Sequence, residues 1–242
     1  MSIPRIIHQA WNTNDVPEQF HAWQQKVKDL HPNWEYRLWT DDDSRELIKD
    51  KYPQDLERFD ALPRNIMRSD MTRYFVMDSI GGFYLDLDYE VYQSFEPVAA
   101  KYDFVLPKNR EPGDTSKIKQ WQVGNAIFGS SPGHPFWQNV FADFRNGPRE
   151  IRTPEGNIHV EEITGPAFLT RIIHEQPLEP SDGDWIAPRK HFHPRHDEFE
   201  AGDPDVFGFH HCSGSWRPKP TILQRAKNRL KRMFQGENTA EK

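Results

Sequence analysis

Cysteine is almost absent from this sequence, since Cys212 is the only one among 242 residues. A single cysteine excludes an internal disulfide framework and fits a reducing compartment. The chain also has no apolar run approaching the roughly 20 residues that cross a bilayer. Its first residues, MSIPR, lack the apolar core of a signal peptide. The sequence therefore predicts a cytoplasmic protein.

Hydrophobic residues make up 36% of the chain and aromatic residues 13%. That content is enough to bury one substantial core, so we expect one domain, residues 1–216, followed by a tail, residues 217–242. The eight tryptophans and 16 phenylalanines, in a chain of mean hydropathy −0.88, favour aromatic surfaces beyond core filling. Aromatic surfaces of this kind are typical of carbohydrate sites.

Strand and helix patterns follow one another along the chain. Strands are predicted at 5–9, 34–39, 83–85, 102–106 and 125–129, and helices at 17–30, 65–80 and 132–144. The acidic run after Thr40 is interpreted as the cap of a further helix rather than a metal site, because acceptor side chains and negative charge suit a helix N-terminus. Strands that alternate with helices predict a Rossmann-like α/β fold.

The most informative stretch is residues 78–91, DSIGGFYLDLDYEV. A short apolar strand in it ends in Asp86, Leu87 and Asp88. Because alternate residues of a strand point to one face, both carboxylates are expected in one cleft while Leu87 packs the other way. A hard divalent cation such as Mg²⁺ or Mn²⁺ relieves the repulsion between the two carboxylates and provides a place to bind a diphosphate.

Asp70 and Arg73 lie one turn apart in the preceding helix, away from its apolar stripe. One interpretation is an exposed ion pair between neighbouring turns, which contributes about 0.3 kcal/mol to the stability of a helix. The other is that both side chains lean over the same cleft as Asp86. The spacing of the residues fits both interpretations.

Residues 68–88, RSDMTRYFVMDSIGGFYLDLD, closely resemble the metal-binding core of glycosyltransferase family 32, whose members carry a sugar-binding region containing a DXD motif. The resemblance implies a GT-A type fold, a Rossmann-like nucleotide-diphospho-sugar transferase fold with a central mixed, mostly parallel sheet. It implies metal-dependent transfer of a hexose from a UDP- or GDP-sugar to a saccharide or lipid-linked acceptor, with retention of the anomeric configuration. Cell-surface polysaccharide or glycolipid synthesis is the setting that it favours.

The same resemblance implies roles for individual residues. Asp86 would bind the metal or the ribose and sugar hydroxyls of the donor, while Asp70 and Arg73 would fix the donor sugar. Residues 3–11, IPRIIHQAW, resemble the N-terminal signature of the family. This implies that Trp11 lies near the nucleotide base, and simple burial at the edge of the sheet is the alternative.

Three segments after the aspartate pair also carry informative patterns. Asn125, in QVGNAIFG, lies where the related enzymes face the acceptor, so it is a candidate contact for sugar hydroxyls. The polar segment 110–120 is interpreted as a mobile loop that closes over a substrate, or as a loop without such a role. Residues 164–166, Thr-Gly-Pro, mark a turn into a helix and contain no proton-transfer group.

Residues 207–216, FGFHHCSGSW, resemble the C-terminal His-His and Ser-Trp signature of the family. Adjacent residues of a strand point to opposite faces, so only one of His210 and His211 is expected to reach the metal. A His-x-x-Gly arrangement in related retaining enzymes, in which the His binds the metal, selects His211 with Gly214, and His210 is the alternative. An imidazole beside Asp88 favours Mn²⁺ over Mg²⁺ as the cofactor.

Three further histidines, His191, His193 and His196, lie in a segment rich in turn-forming residues. Cysteines do not accompany them, and their spacing matches no standard zinc site. We therefore predict loop residues, with His193 near a ligand.

Residues 217–234, RPKPTILQRAKNRLKRMF, contain seven basic residues and no acidic one. Apolar residues recur among them at helical spacing. This pattern favours a helix lying on anionic lipid at the inner face of the plasma membrane, where each basic residue contributes about 1 kcal/mol. Packing against the acidic remainder of the chain is the alternative. Nucleic acid is not predicted as a partner, because that remainder repels phosphate.

Two other functional classes use similar residues. A metal-dependent phosphohydrolase or nucleotidyltransferase also uses paired aspartates, and it would release free sugar or exchange pyrophosphate. A non-catalytic carbohydrate-binding protein would use the aromatic residues and the metal alone, and it would consume no donor. The products formed from a nucleotide sugar therefore separate the three classes.

Overall fold

A six-stranded mixed sheet lies at the centre of the computed structural model, which describes residues 2–148, 150–153, 156–178, 181–200 and 202–214. The strands of the described residues are β1 (Ile6–Ala10), β2 (Glu35–Trp39), β3 (Gly82–Leu85), β4 (Tyr89–Val91), β5 (Phe104–Val105), β6 (Lys108–Arg110), β7 (Gln122–Val123), β8 (Ile127–Ser130), β9 (Asp184–Trp185) and β10 (Gly208–His210). The helices are α1 (His21–Leu30), α2 (Asp41–Lys51), α3 (Leu56–Asp60), α4 (Asn65–Ser79), α5 (Glu96–Lys101), α6 (Pro135–Asn146), α7 (Val160–Ile163), α8 (Pro166–Glu175) and α9 (Arg189–Phe192).

The strand order in the central sheet is β2-β1-β3-β8-β5-β9. The pairs β1–β2, β1–β3 and β5–β9 are parallel, and β8 runs antiparallel to both of its neighbours. The predicted α/β fold with a mixed, mostly parallel sheet is therefore confirmed. Two antiparallel pairs, β4–β10 and β6–β7, extend from this sheet. Strand β3, which leads into the aspartate pair, is interior and buried along its length.

Most predicted elements are present with shifted ends. The helix predicted at 17–30 divides into a 3₁₀ turn, Glu18–Phe20, and α1. The predicted tail, 217–242, lies outside the described residues, as do Ser215 and Trp216, so the domain boundary and the tail helix stay predictions. Contacts group residues 1–212 into one unit and 213–242 into a second, of which only 213 and 214 are described. Among the described residues, no helix has the length and apolar character needed to span a membrane.

Helix α4 is buried more completely than an amphipathic helix would be. Every residue from Asp70 to Met77 is buried, including the polar ones. The reason is its position, since α4 packs on the strands β1, β3 and β8 and also contacts the helices α2, α6 and α7. The polar side of the helix therefore faces protein, and this puts Asp70 and Arg73 inside the fold.

The connection from α4 to β3 requires glycine. Gly82 has φ +103°, a left-handed conformation, and a Cβ atom placed there would lie 2.6 Å from the backbone oxygen of Ile6. Side chains rarely adopt this φ, and no space exists for one. Glycine thus allows β3 to run close beside β1 and fixes where the strand delivers Asp86 and Asp88.

The acidic run after Thr40 caps helix α2, as predicted. The hydroxyl of Thr40 accepts the Asp43 backbone N–H at 3.1 Å, and the Asp43 carboxylate accepts the Thr40 backbone N–H at the same distance. This reciprocal pair is a capping box. The segment is a structural cap, and its carboxylates lie apart from the aspartates that follow β3.

His8, on β1, is a fully buried imidazole with both nitrogens in use. Its Nε2 donates to the Gly81 oxygen at 2.8 Å, and its Nδ1 accepts from Trp39 Nε1 at 3.0 Å. Burial is the main reason that the pKa of His8 is lowered to about 4. Between pH 6.5 and pH 4 the unfolded chain binds a proton that the folded protein does not, so stability is lost as the pH falls through this window.

We expect the free energy of unfolding to fall by about 2 kcal/mol between pH 7 and pH 5 because of His8 alone. Urea denaturation of the wild type and of His8→Gln at both pH values measures this, since glutamine does not titrate. The wild type should lose about 2 kcal/mol more than the variant. Equal losses would mean that the folded imidazole titrates at its ordinary pKa.

Candidate functional site

Asp86 and Asp88 lie in the turn that joins β3 to β4, just past the carboxyl end of β3. The backbone N–H of Asp86 donates to Ala126 at 2.8 Å, and the Asp86 oxygen accepts from the Tyr89 N–H at 3.0 Å. Leu87 packs the other way, in a small apolar cluster with Val16 and Phe20. The predicted division of the three side chains between two faces is therefore present, although a turn rather than a continuing strand produces it.

An imidazole completes the cluster of the two carboxylates. The Nε2 of His210 lies 3.1 Å from Asp88 Oδ1 and 3.8 Å from Asp86 Oδ2. One ligand atom from each of the three residues lies within 4.8 Å of the others. Two carboxylates and one imidazole form a donor set that suits a divalent cation, and the nitrogen ligand suits Mn²⁺ better than Mg²⁺.

The electrostatics of the cluster show how strongly it attracts positive charge. Burial opposes protonation of His210, but the hydrogen bonds to Asp88 and Cys212 and the charge of Asp86 raise its pKa to about 10. The pKa of Asp86 is raised by burial, against the lowering effects of Arg73 and His210. The two carboxylates thus favour the protonated, positively charged imidazole of His210. A bound metal cation would take the place of this positive charge.

The structure corrects the choice between the two neighbouring histidines. His211, predicted to join the aspartates, instead places Nε2 3.0 Å from Glu90 Oε2 and stacks on Trp23 with ring centroids 4.4 Å apart. Strand β10 pairs antiparallel with β4, so adjacent side chains alternate between its faces. His210 takes the face of the aspartates and His211 takes the opposite face.

Behind the cluster lies a buried ion network around Arg73. Its Nη1 donates to Asp86 Oδ1 at 3.0 Å, and its Nη2 lies 3.2 Å from Asp70 Oδ1. The side chains of Arg73 and Asp70 are only 3% and 5% exposed. The ion pair is therefore not a surface pair, and it connects helix α4 directly to the aspartate turn.

Asp70 receives further donors from two distant segments. The Asn125 side-chain amide donates to Asp70 Oδ1 at 2.9 Å, and the Thr164 hydroxyl donates to Asp70 Oδ2 at 3.0 Å. Burial raises the pKa of Asp70 to about 7, although Arg73 and the two hydrogen bonds oppose this shift. A carboxylate so enclosed positions Arg73 and Asn125, and the contact of Asp70 and Arg73 with the donor sugar stays a prediction.

Sequence reasoning missed two members of this network, Thr164 and Tyr84. The Tyr84 hydroxyl donates to Asp86 Oδ1 at 3.3 Å, and its ring lies 4.6 Å from the Arg73 guanidinium carbon. Tyr84 stands two residues before Asp86, so strand alternation is a signal that would have found it. Thr164 belongs to the predicted Thr-Gly-Pro turn, and its contact with Asp70 spans 94 residues, which no local pattern shows.

Trp11 lies on the side of the aspartate turn that carries Leu87. It is half-buried and packs in the apolar cluster of Val16, Phe20 and Leu87, with its ring 5.8 Å from that of Phe20. This position is next to the turn but apart from the carboxylates. A contact with the nucleotide base stays a prediction.

His193 is the member of the predicted loop trio that lies near the cluster. Its ring centroid is 6.2 Å from that of His210. Burial, with smaller contributions from His210 and Arg189, lowers the pKa of His193 to about 3, so the ring is neutral. Its Nε2 is buried without a hydrogen-bond partner among the described residues, as is Asn109 Oδ1. His193 therefore lies beside the site as an uncharged ring.

A family model described as "Glycosyltransferase sugar-binding region containing DXD motif" matches residues 17–105. Inositol phosphoceramide mannosyltransferase 3 of Schizosaccharomyces pombe is 32% identical over 238 residues, which cover 98% of this chain and 56% of that protein. Mannosyl phosphorylinositol ceramide synthase CSH1 of Saccharomyces cerevisiae is 36% identical over 170 residues, which cover 70% of this chain and 42% of that protein. The chain thus spans about half the length of these relatives.

Two solved structures have a similar fold. The UDP-bound glycosyltransferase domain from the YGT toxin has a TM-score of 0.54 at 8% identity, over 77% of this chain and 80% of that domain. PaToxG glycosyltransferase has a TM-score of 0.53 at 15% identity, over 73% of this chain and 70% of that one. At these identities the likeness concerns the fold alone, and it confirms the predicted GT-A type.

Proposed function

Because the chain belongs to the family of glycosyltransferases with a DXD-containing sugar-binding region, we propose that it transfers a hexose from a nucleotide sugar to a lipid-linked acceptor. The observation that carries the proposal is the cluster of Asp86, Asp88 and His210 at the carboxyl end of β3. In α/β sheets, ligands bind beyond the carboxyl ends of strands. The names of the relatives support mannose as the hexose and an inositol-phosphate lipid as the acceptor class.

We assign the divalent cation of this reaction to Asp86, Asp88 and His210, with Mn²⁺ as the ion that their donor set favours. When bound, such a cation offsets negative charge on the departing nucleoside diphosphate. Arg73 holds Asp86 in place through its 3.0 Å hydrogen bond, and Tyr84 donates to the same oxygen. These contacts fix the orientation of one carboxylate before any substrate arrives.

Asp70 and Asn125 set the position of Arg73 in turn. The Arg73 Nη1 donates to the backbone oxygen of Asn125 at 2.5 Å, and the Asn125 amide donates to Asp70. Because Asp70 and Arg73 are buried, they exclude water from one side of the aspartate turn. Retention of the anomeric configuration is part of the proposal through the family, and no side chain is assigned as a nucleophile.

The test is the identity of the products formed from a panel of UDP- and GDP-sugars with Mn²⁺ and vesicles containing phosphatidylinositol. The proposal predicts that one donor yields a glycosylated lipid together with the free nucleoside diphosphate, and that chelator abolishes both. Free sugar without a glycosylated lipid would support a phosphohydrolase instead. Binding of sugar without consumption of any donor would support a carbohydrate-binding protein.

The assignment of His210 predicts a difference between the two neighbouring histidines. We expect His210→Ala to weaken Mn²⁺ binding at least about tenfold, because it removes one of three protein ligands. His211→Ala is the matched control, since its imidazole contacts Glu90 and Trp23 instead. Calorimetric titration of both variants with Mn²⁺ measures the difference in affinity. If His211→Ala loses the affinity and His210→Ala keeps it, the assignment is wrong.

A further inference from the structure

The β6–β7 hairpin carries three cations that have no partner among the described residues. Arg110, Lys117 and Lys119 are exposed, and none of their side chains forms a hydrogen bond, ion pair or ring contact within the described part of the chain. All three lie within the ten consecutive positions 110–119, which form the tip of the hairpin. The chain as a whole carries a net charge of −6, so this tip is a local exception to its surface charge.

The acidic residues of the same tip do not offset these cations. Glu111 is paired with Lys108 at 3.5 Å, and Asp114 is paired with Arg195 at 2.6 Å. Asp114 also accepts the Glu111 backbone N–H at 2.9 Å, which holds the loop in its observed shape. Both carboxylates are thus already neutralised, and the positive charge of the tip remains free.

The hairpin stands next to the proposed active site. At its base the Gly124 N–H donates to the Pro107 oxygen at 3.0 Å, and the next residue, Asn125, donates to Asp70. Gln122, which pairs with Arg110, lies three residues before Asn125. At a rise of about 3.3 Å per residue, Gln122 lies within roughly 10 Å of Asn125.

We propose that this hairpin tip binds an anionic lipid surface and thereby brings a membrane-borne acceptor to the cleft. A cationic patch on an acidic protein orients the molecule, because anionic lipid attracts the patch and repels the acidic parts of the surface. The inference rests on the proposed function in one respect. If the acceptor is linked to a lipid, the cleft must come into contact with a membrane. It uses residues of the described fold and does not depend on the basic tail.

The test is sedimentation of the full chain with vesicles of equimolar phosphatidylcholine and phosphatidylinositol. The variant that combines Arg110→Gln, Lys117→Gln and Lys119→Gln is expected to bind these vesicles about a hundredfold more weakly than the wild type. Added salt should weaken wild-type binding, since exposed charges are screened. Pure phosphatidylcholine vesicles should bind little of either protein.

The matched control replaces Lys49, Lys51 and Lys101 with glutamine, which removes the same charge. Helix α2 begins at the carboxyl end of β2. Its last residues, Lys49 and Lys51, therefore lie towards the amino ends of the strands, away from the aspartate turn. Lys101 precedes the amino end of β5. All three are exposed, and we expect this control to bind vesicles as the wild type does.

Equal losses in the two triple variants would overturn the inference, as would equal binding of the wild type to neutral and anionic vesicles. Nucleotide-sugar binding, measured on the wild type without vesicles, separates this outcome from the proposed function. Vesicle binding that depends on the hairpin, without any nucleotide-sugar binding, would contradict the transferase proposal and support the docking surface. Donor binding, together with identical vesicle binding of both triple variants, would support the transferase proposal and contradict the docking surface.

Discussion

Asp88→Asn is expected to lower the rate of glycosyl transfer by about a hundredfold to a thousandfold. The substitution keeps the size of the side chain and an oxygen that can accept from His210, which lies 3.1 Å away. It removes one of two negative charges from the cluster that would hold the cation. The loss should therefore appear in catalysis, whereas the fold should remain.

Glu90→Gln is the matched control for this prediction. Glu90 is two residues further on, and its carboxylate contacts Lys26 and His211 rather than the cluster. We expect its rate to stay near that of the wild type. Initial rates with the donor identified by product analysis measure both variants, and circular dichroism confirms that they are folded. Similar rates for Asp88→Asn and Glu90→Gln would contradict the assignment of Asp88.

Arg73→Met is expected to lower the free energy of unfolding by about 3–5 kcal/mol. The arginine is 3% exposed and lies between the carboxylates of Asp70 and Asp86. Its removal leaves the buried carboxyl group of Asp70 and the half-buried one of Asp86 without their cation, and burial already raises the pKa of both. Denaturation by urea, monitored by tryptophan fluorescence, measures the loss.

Arg45→Met provides the control. It breaks another arginine–aspartate pair in which the arginine donates through two nitrogens, and this pair differs from that of Arg73 mainly because it is exposed. Arg45 donates to Asp60 through Nε at 3.0 Å and Nη2 at 2.8 Å, and these side chains are 50% and 38% exposed. Exposed pairs contribute about 1 kcal/mol or less. Adding Asp70→Asn to Arg73→Met should recover part of the loss, since one buried charge disappears. Equal effects of the Arg73 and Arg45 substitutions would show that burial does not control this pair.

Local patterns were sufficient to predict much of the fold. The short apolar run of β3, the glycine pair where it begins and the capping run after Thr40 depend on neighbours along the chain, and each element is present. The grouping of Asp86 with Asp88 follows from the same short-range geometry. These features require no knowledge of distant contacts.

The contacts that complete the site depend on distant segments, and local patterns do not show them. Whether His210 or His211 faces the aspartates depends on how β10 pairs with β4, more than a hundred residues earlier. The burial of Asp70 and Arg73 depends on helices that cover the polar side of α4. Thr164 reaches Asp70 only because the turn before α8 packs against the same helix.

We propose above all that Asp86, Asp88 and His210 form a metal site that binds the diphosphate of a nucleotide sugar. Calorimetric titration of UDP- and GDP-sugars into the wild type and Asp88→Asn, with Mn²⁺ and with chelator, tests it most directly. We expect one nucleotide sugar to bind the wild type with Mn²⁺, and we expect this binding to be lost with chelator and in Asp88→Asn. Binding that is unchanged by chelator and by the substitution, or no binding of any nucleotide sugar, would contradict it.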